Sequence, residues 1–191
     1  DGDLTFASST STLTVGGSVI MNRSSTSATR TISIGAGSMT VGLDLELSKN
    51  SAFANNNNRI TDVTISTGTL TVNGNILFDA EEAAQSQIVF SGAGTLNLGG
   101  NFTYLNGLGT FTKSTSTLVL KGNGVQSISG PNDFYNITAN GSSITSLLNA
   151  VSLTGTLTMT KGYILADSTN NYVLTVASSG SISGGSVNSF V

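Results

Sequence analysis

The sequence contains no cysteine, no histidine, a single proline and only 9% charged residues. Without cysteine there is no disulfide framework, so stability has to come from packing and hydrogen-bond ladders. Lacking both histidine and cysteine, the chain also lacks the usual zinc ligands and the commonest general base. Its seven Lys and Arg residues are scattered and the formal charge is −3, so no basic stripe exists for phosphates and a nucleic-acid partner is not expected. No run of about 18 apolar residues is present, so no membrane-spanning helix is expected. No basic, apolar leader opens the chain. It begins Asp1-Gly2-Asp3 without methionine, which reads as a processed protein or an excerpt of a longer one.

What is present is β-forming. Hydrophobic residues make up 38% of the 191, with 23 glycines and 19 asparagines among the rest. A disordered chain needs low hydrophobicity and high net charge, and neither holds here. Val, Ile, Leu, Thr and Phe set between glycines point to an ordered all-β protein. The organising unit is Gly68-Thr69-Leu70-Thr71-Val72-Asn73-Gly74-Asn75-Ile76, in which Leu70 and Val72 alternate with two threonines before an Asn-Gly corner. Variants recur at Thr12-Leu13-Thr14-Val15-Gly16-Gly17, Thr95-Leu96-Asn97-Leu98-Gly99-Gly100, Thr117-Leu118-Val119-Leu120 and Thr156-Leu157-Thr158-Met159. Strand cores begin near Thr12, Thr31, Val63 to Thr69, Thr95, Thr117, Asn136, Thr156 and Leu174. Most are roughly 18 to 26 residues apart, the coil length of a solenoid holding two or three short strands per turn. Weaker strands, Ser38-Met39-Thr40-Val41, Gln87-Ile88-Val89-Phe90 and Ser181-Ile182-Ser183, fit as the other sides of each coil.

Side chains alternate across a strand, so Leu70 and Val72 share one face and Thr69 and Thr71 the other. A lone five-residue strand cannot bury that apolar face; stacked coils can, and stacking also pairs every backbone N–H and C=O. Glycine and asparagine are expected at the corners to supply positive φ. Asp44-Leu45-Glu46-Leu47 should place its acids toward solvent, and Ser51 to Arg59, with four consecutive asparagines, reads as a polar loop. Phe78 to Gln85 reads as a helical turn or a wide corner. No linker or composition shift divides the chain, so residues 1–191 are expected to form a single domain.

From Phe134 onward the wording is specific: Phe134-Tyr135-Asn136-Ile137-Thr138, then Val151-Ser152-Leu153-Thr154-Gly155-Thr156-Leu157-Thr158-Met159, and finally Gly180-Ser181-Ile182-Ser183-Gly184-Gly185 through Ser189-Phe190-Val191. This closing stretch resembles the repeats of large secreted cell-surface adhesin and fibre proteins of Bacteroidota, exported by the type IX secretion system and including gliding adhesins. The resemblance implies a β-solenoid stalk segment at the extracellular cell surface, with no catalytic residues to carry over. The signal peptide and sorting domain of such chains are not in the sequence. Ser189-Phe190-Val191 ends as a repeat ends, and neither terminus looks like a polar cap. More chain, or another subunit, is therefore expected at both ends. Asp167-Ser168-Thr169 matches the Asp-Ser/Thr-x pattern at which Bacteroidota glycosylate secreted proteins, making Ser168 the candidate O-glycosylation position.

No residue set announces chemistry. Asp79, Glu81 and Glu82 form the densest acidic cluster, yet a glycosidase pair must converge across a cleft, and charged runs are usually solvated. Asp1/Asp3, Asp44/Glu46 and Asp79/Glu81/Glu82 are carboxylate groups of the kind calcium takes. Neither an EF-hand nor a Gly-Gly-x-Gly-x-Asp roll is present, and no ligand is assigned. The Thr12/Thr14, Thr69/Thr71 and Thr156/Thr158 pairs are of the kind that ice-binding solenoids array on a flat face. Drift in coil length and the replacements Asn97, Val119 and Ser33 count against a regular array. Phe78, Phe90, Phe102, Phe111, Phe134 and Tyr135 read as core or corner packing rather than a sugar platform. The sequons at Asn22, Asn101, Asn136 and Asn140 are those expected of a chain rich in Asn, Ser and Thr.

The expected fold is a right-handed parallel β-helix (β-solenoid) of about 20 residues per coil, roughly nine coils and about 45 Å long. An antiparallel sandwich is the alternative. The expected role is a structural or adhesive repeat that associates end to end, non-enzymatic and without a cofactor. The other readings are a carbohydrate-binding or polysaccharide-degrading β-helix and an ice-binding solenoid; surface polysaccharide or other cells are the outside partners considered.

Overall fold

The computed structural model describes residues 3–22, 28–47, 59–81, 85–167, 169–186 and 189–190. Short alternating segments become short strands, and three of them make one coil. The first coil is Leu4–Phe6 (β1), Thr12–Val15 (β2) and Val19–Met21 (β3); the second is Arg30–Ile34 (β4), Ser38–Val41 (β5) and Leu45–Leu47 (β6). The third is Thr61–Ile65 (β7), Thr69–Val72 (β8) and Ile76–Phe78 (β9); the fourth is Ser86–Phe90 (β10), Thr95–Leu98 (β11) and Phe102–Tyr104 (β12). The fifth comprises Thr110–Thr112 (β13), Thr117–Leu120 (β14) and Gln126–Ser129 (β15). In the sixth and seventh, Asp133–Phe134 (β16) and Val151–Leu153 (β18) are followed by the long strands Asn136–Leu147 (β17) and Thr156–Leu165 (β19), each serving two sides. Leu174–Val176 (β20), Ser181–Gly184 (β21) and Ser189–Phe190 (β22) form the eighth.

Every pairing between these strands is parallel and runs coil to coil, for example Leu13↔Met39, Met39↔Leu70 and Leu70↔Leu96. The chain is a parallel β-helix. The sandwich alternative is excluded, and the one antiparallel bridge among the described residues, Asp167↔Tyr172, closes a surface loop. Among the described residues there are eight coils rather than nine, about 34 Å from first to last at the usual strand spacing. The shortfall arises because most coils are longer than the expected 20 residues, and their length varies from 19 to 31 along the second side. On the second side the register runs Leu13, Met39, Leu70, Leu96, Leu118, Ile137, Leu157 and Ile182. Its longest step is from Met39 to Leu70 and its shortest from Leu118 to Ile137. The eight strand starts read from the sequence fall one per coil. Thr31 and Leu174, however, lie on the first side, whereas Ser38 and Ser181 are the register equivalents of Thr12.

Inward residues of the three sides merge into one core running from Phe6 to Ile164, with Leu174 and Val176 packed against it. Leu70 and Val72 are fully buried, as alternation requires. In the middle coils the core is aromatic. Phe78 stacks on Tyr104 with centroids 4.8 Å apart, Phe102 meets Phe78 and Phe111 at 5.6 Å each, and Phe111 meets Phe134 at 5.1 Å. The Phe111–Phe134 contact carries the core across the place where the first side's ladder is interrupted between β13 and β16.

The corners work differently from expectation. Positive φ occurs at Ser114, at Asn171 and at a few glycines, but not at Gly74, Gly99, Gly100, Asn75 or Asn101. At those corners glycine is required because adjacent coils approach closely. A Cβ on Gly100 would lie 2.7 Å from both the carbonyl carbon and oxygen of Gly74. The described part of Phe78 to Gln85 is a corner without helix, with Ala80 buried and the Glu81 N–H donating to Gln85 Oε1 at 3.1 Å. Ser51 to Asn58 of the expected polar loop lie outside the described residues.

Candidate functional site

The outward surface is where any binding chemistry must sit, and three of its acids, Asp3, Asp44 and Asp167, accept backbone N–H groups. Asp44 begins a ladder that climbs one corner. Its own N–H donates to Ser18 Oγ at 3.2 Å, and its Oδ1 accepts the Asn75 N–H at 2.6 Å and Asn75 Nδ2 at 2.9 Å. Asn75 Oδ1 in turn accepts the Asn101 N–H at 2.8 Å, and Asn101 Oδ1 the Ser127 N–H at 2.8 Å. These side chains satisfy the corner amides of Asn75 and Asn101 and the Ser127 amide at the start of β15. Asp44 is thus half-buried in the corner rather than solvated. Sequence reasoning misses this ladder, although its signal is there: an Asx residue stands directly before the third-side strands at Asp44, Asn75 and Asn101.

The other acids behave similarly. Asp3 Oδ1 accepts the Thr31 N–H at 3.0 Å, and Asn106 Nδ2 donates to Asp79 Oδ1 at 3.5 Å and to the Ala80 carbonyl at 3.0 Å. Asp1 and Glu82 lie outside the described residues, as does Ser168. Beside it, Asp167 Oδ1 accepts the Thr169 N–H at 2.9 Å, and its Oδ2 accepts Asn170 Nδ2 at 2.7 Å. Hydrogen bonds from the Asn170 side chain and backbone hold this exposed carboxyl below its usual range. Among the described residues no group of three His, Cys, Asp or Glu side chains comes together as a metal site.

A cleft of about 340 Å³ opens beside coils four to six, lined in part by Tyr104, Phe111, Gly130 and Asp133. Tyr104 is buried on Phe78, and burial pushes its hydroxyl pKa well above the usual value. Asp133 Oδ1 accepts Lys113 Nζ at 2.6 Å and Ser152 Oγ at 3.0 Å. A two-carboxylate hydrolysis needs a second acid across the gap, and this lining supplies only the one already-paired carboxylate. Of the aromatics, Phe78, Phe90, Phe102 and Phe134 are buried, while Phe111 is partly buried against the core. Tyr135 is half-buried.

The second side is the most regular surface. Two columns of outward residues run its whole length. The first is Thr12, Ser38, Thr69, Thr95, Thr117, Asn136, Thr156 and Ser181; the second is Thr14, Thr40, Thr71, Asn97, Val119, Thr138, Thr158 and Ser183. Drift in coil length is absorbed at the corners and on the other sides, so the register of the columns holds, whereas the replacements Asn97 and Val119 do stand in the second column and Val119 interrupts its polar run, as expected from sequence. Ser33, counted there as a replacement, belongs to the first side. The columns are also bonded internally: Asn97 Nδ2 donates to Thr71 Oγ1 at 3.1 Å, and Ser183 Oγ to Thr158 Oγ1 at 3.2 Å. Thr69 and Thr71 are therefore half-buried members of a ladder, more than simple solvent-facing residues.

On the first side, Asp62 stands between its register neighbours Thr31 and Gln87. Its Oδ1 is shielded from solvent and has no hydrogen-bond donor, and burial raises its pKa. A carboxyl raised by folding favours the protonated native state, so its contribution to stability falls as pH climbs from about 4 through the folded pKa. Asp62→Asn should raise the melting temperature at pH 7 and leave it nearly unchanged at pH 3.5, as read by thermal melts of both chains across that range.

Comparison with protein-family models, curated proteins and solved structures returns no match.

Proposed function

We propose that the chain is a non-catalytic structural unit of a bacterial cell-surface filament or adhesin stalk, extracellular and associated end to end with neighbouring units. The observation that carries this reading is the state of the two end coils. Leu4 and Ile182 share their side of the strand with the buried Ile32 and Leu157, yet they are 42% and 62% exposed. Among the described residues the outer edges of β1 to β3 and of β20 to β22 have no strand partner. A core that runs open at both ends is a stacking surface, because edge strands and bare apolar faces are otherwise covered or charged. Each coil is joined to the next on up to three sides at once, which suits a load-bearing rod. The resemblance of residues 134–191 to repeats of secreted Bacteroidota fibres agrees with this role and with a cell-surface location.

The paired outward columns, Thr, Ser or Asn at every position but Val119, favour a second reading, an ice-binding face. One series of measurements on the purified chain separates the readings. Sedimentation velocity should show elongated species growing with concentration, while a polysaccharide panel shows no saturable binding and freezing shows no thermal hysteresis. Saturable binding or turnover lost in Asp133→Asn would replace the stalk reading with the carbohydrate one. Hysteresis lost on replacing Thr71 and Thr40 by Leu would replace it with the ice-binding one.

A further inference from the structure

The last coil repeats the first. Leu4-Thr5-Phe6-Ala7-Ser8-Ser9-Thr10-Ser11 and Leu174-Thr175-Val176-Ala177-Ser178-Ser179-Gly180-Ser181 align without a gap and differ only at Phe6/Val176 and Thr10/Gly180. Gly16-Gly17-Ser18-Val19 and Gly184-Gly185-Ser186-Val187 are then identical, after a short deletion in the later copy. Intermediate coils do not carry this wording: the same position reads Ile32-Ser33-Ile34-Gly35-Ala36-Gly37 in the second coil and Val63-Thr64-Ile65-Ser66-Thr67-Gly68 in the third. The fold puts the two copies in the same phase. β1 and β20 both open a coil on the first side, β2 and β21 both lie on the second, and β3 and β22 both lie on the third. The two copies thus open the same side of the stack seven coils apart, at Leu4 and Leu174, with a small slip of register beyond them: the ladder sets Ser181 and Gly184 level with Thr12 and Val15, and of the four glycines only Gly184 and Gly185 have positive φ.

In the first coil, the edge facing the rest of the rod is covered by the second coil: Leu4 and Phe6 pair with Ile32 and Ile34, and Leu13 and Val15 with Met39 and Val41. The eighth coil presents the equivalent edge bare, with Ile182 in the place of Leu13 and in solvent. We propose that the eighth coil takes the place of the first coil of another unit of this sequence, and that the counterpart of Arg30–Leu47 of that unit seats directly on β20 to β22. The occupant is a further copy of the seven-coil repeat in the same polypeptide, entered at its second coil. This gives the end-to-end reading above, on which it rests, a fixed phase: the repeat that opens at Leu4 closes just before Leu174.

Two fusions test the phase. In one, residues 22–191 follow Val191, so that a second coil follows the eighth; in the other, all of residues 1–191 follow Val191. The in-phase fusion should unfold in urea as one unit, with an m-value close to twice that of the single chain, because m follows the surface exposed in one transition. The out-of-phase fusion should keep the single-chain m-value. Ile182→Asn should leave the midpoint of the single chain unchanged, since the side chain is already exposed. In the in-phase fusion it should split the transition in two. If both fusions show the doubled m-value, the phase proposal is overturned and end-to-end association stands. If neither does, both fall.

Discussion

Phe102→Ala is expected to remove about 4 kcal/mol of stability, within the range for deleting a buried phenylalanine. Phe102 is fully buried and its ring contacts Phe78, Tyr104 and Phe111, so truncation loses both the transfer term and three edge-to-face contacts. A rod makes this loss more than local. In a quasi-one-dimensional stack each coil is stabilised by its neighbours, so a weak step in the middle uncouples the two halves. The variant should therefore melt about 10 °C lower, at the few degrees per kcal/mol usual for a chain of this size. Its unfolding should divide into two transitions, seen in calorimetry as a calorimetric enthalpy exceeding the van't Hoff value. Phe6→Ala, in the open first coil, should cost less than half as much and leave the transition single.

Gly100→Ala is expected to cost about 3 kcal/mol, combining overpacking with the loss of a buried corner hydrogen bond. The added Cβ would stand 2.7 Å from the Gly74 carbonyl and 2.6 Å from Asn75 Oδ1, the oxygen that accepts the Asn101 N–H. The side chain can turn away only by abandoning that bond, and the Gly74 backbone is held on both flanks by its own ladder. Gly17→Ala is the control. It occupies the same corner of the first coil, where a Cβ meets nothing within 4 Å, and should change stability by no more than about 0.5 kcal/mol. Leu43 takes this place in the second coil with its side chain in solvent. The cost at Gly100 is thus specific to the tight pairing with Gly74. Chemical denaturation of the two alanine variants measures the difference.

The parallel β-helix is legible in the sequence because its causes are local and repeated. Leu70 and Val72 alternate with Thr69 and Thr71, and the same pattern returns at Leu96, Leu118 and Leu157. Register cannot be read there. The step from Thr12 to Ser38 is shorter than the step from Ser38 to Thr69, so no constant period aligns the three; only the ladder does. Coils mostly longer than 20 residues make the sequence suggest one coil too many, and the outward columns, interrupted in chemistry at Val119, nevertheless keep their register in the fold. Composition assigns the corner asparagines to backbone conformation, whereas Asn75 and Asn101 act through their side-chain oxygens on the coil above. Such a role depends on which residue lies one coil away, and this is set by the fold rather than by neighbours in sequence. The equivalence of the first and last coils needs both levels, since the likeness of Leu4–Ser11 to Leu174–Ser181 gains its meaning from the shared phase.

Among the described residues the stack is joined coil to coil along its second and third sides throughout, and the outer edges of its first and last coils have no strand partner. Amide hydrogen exchange of the intact chain tests this open-ended stacking most directly, because protection follows the free energy of local opening. A gradient is expected, with the amides of β8, β11 and β14 slowest and protection falling coil by coil toward β1 to β3 and toward β20 to β22. End-coil amides protected as strongly as those of β11 would contradict it, as would a single exchange rate shared by all strands.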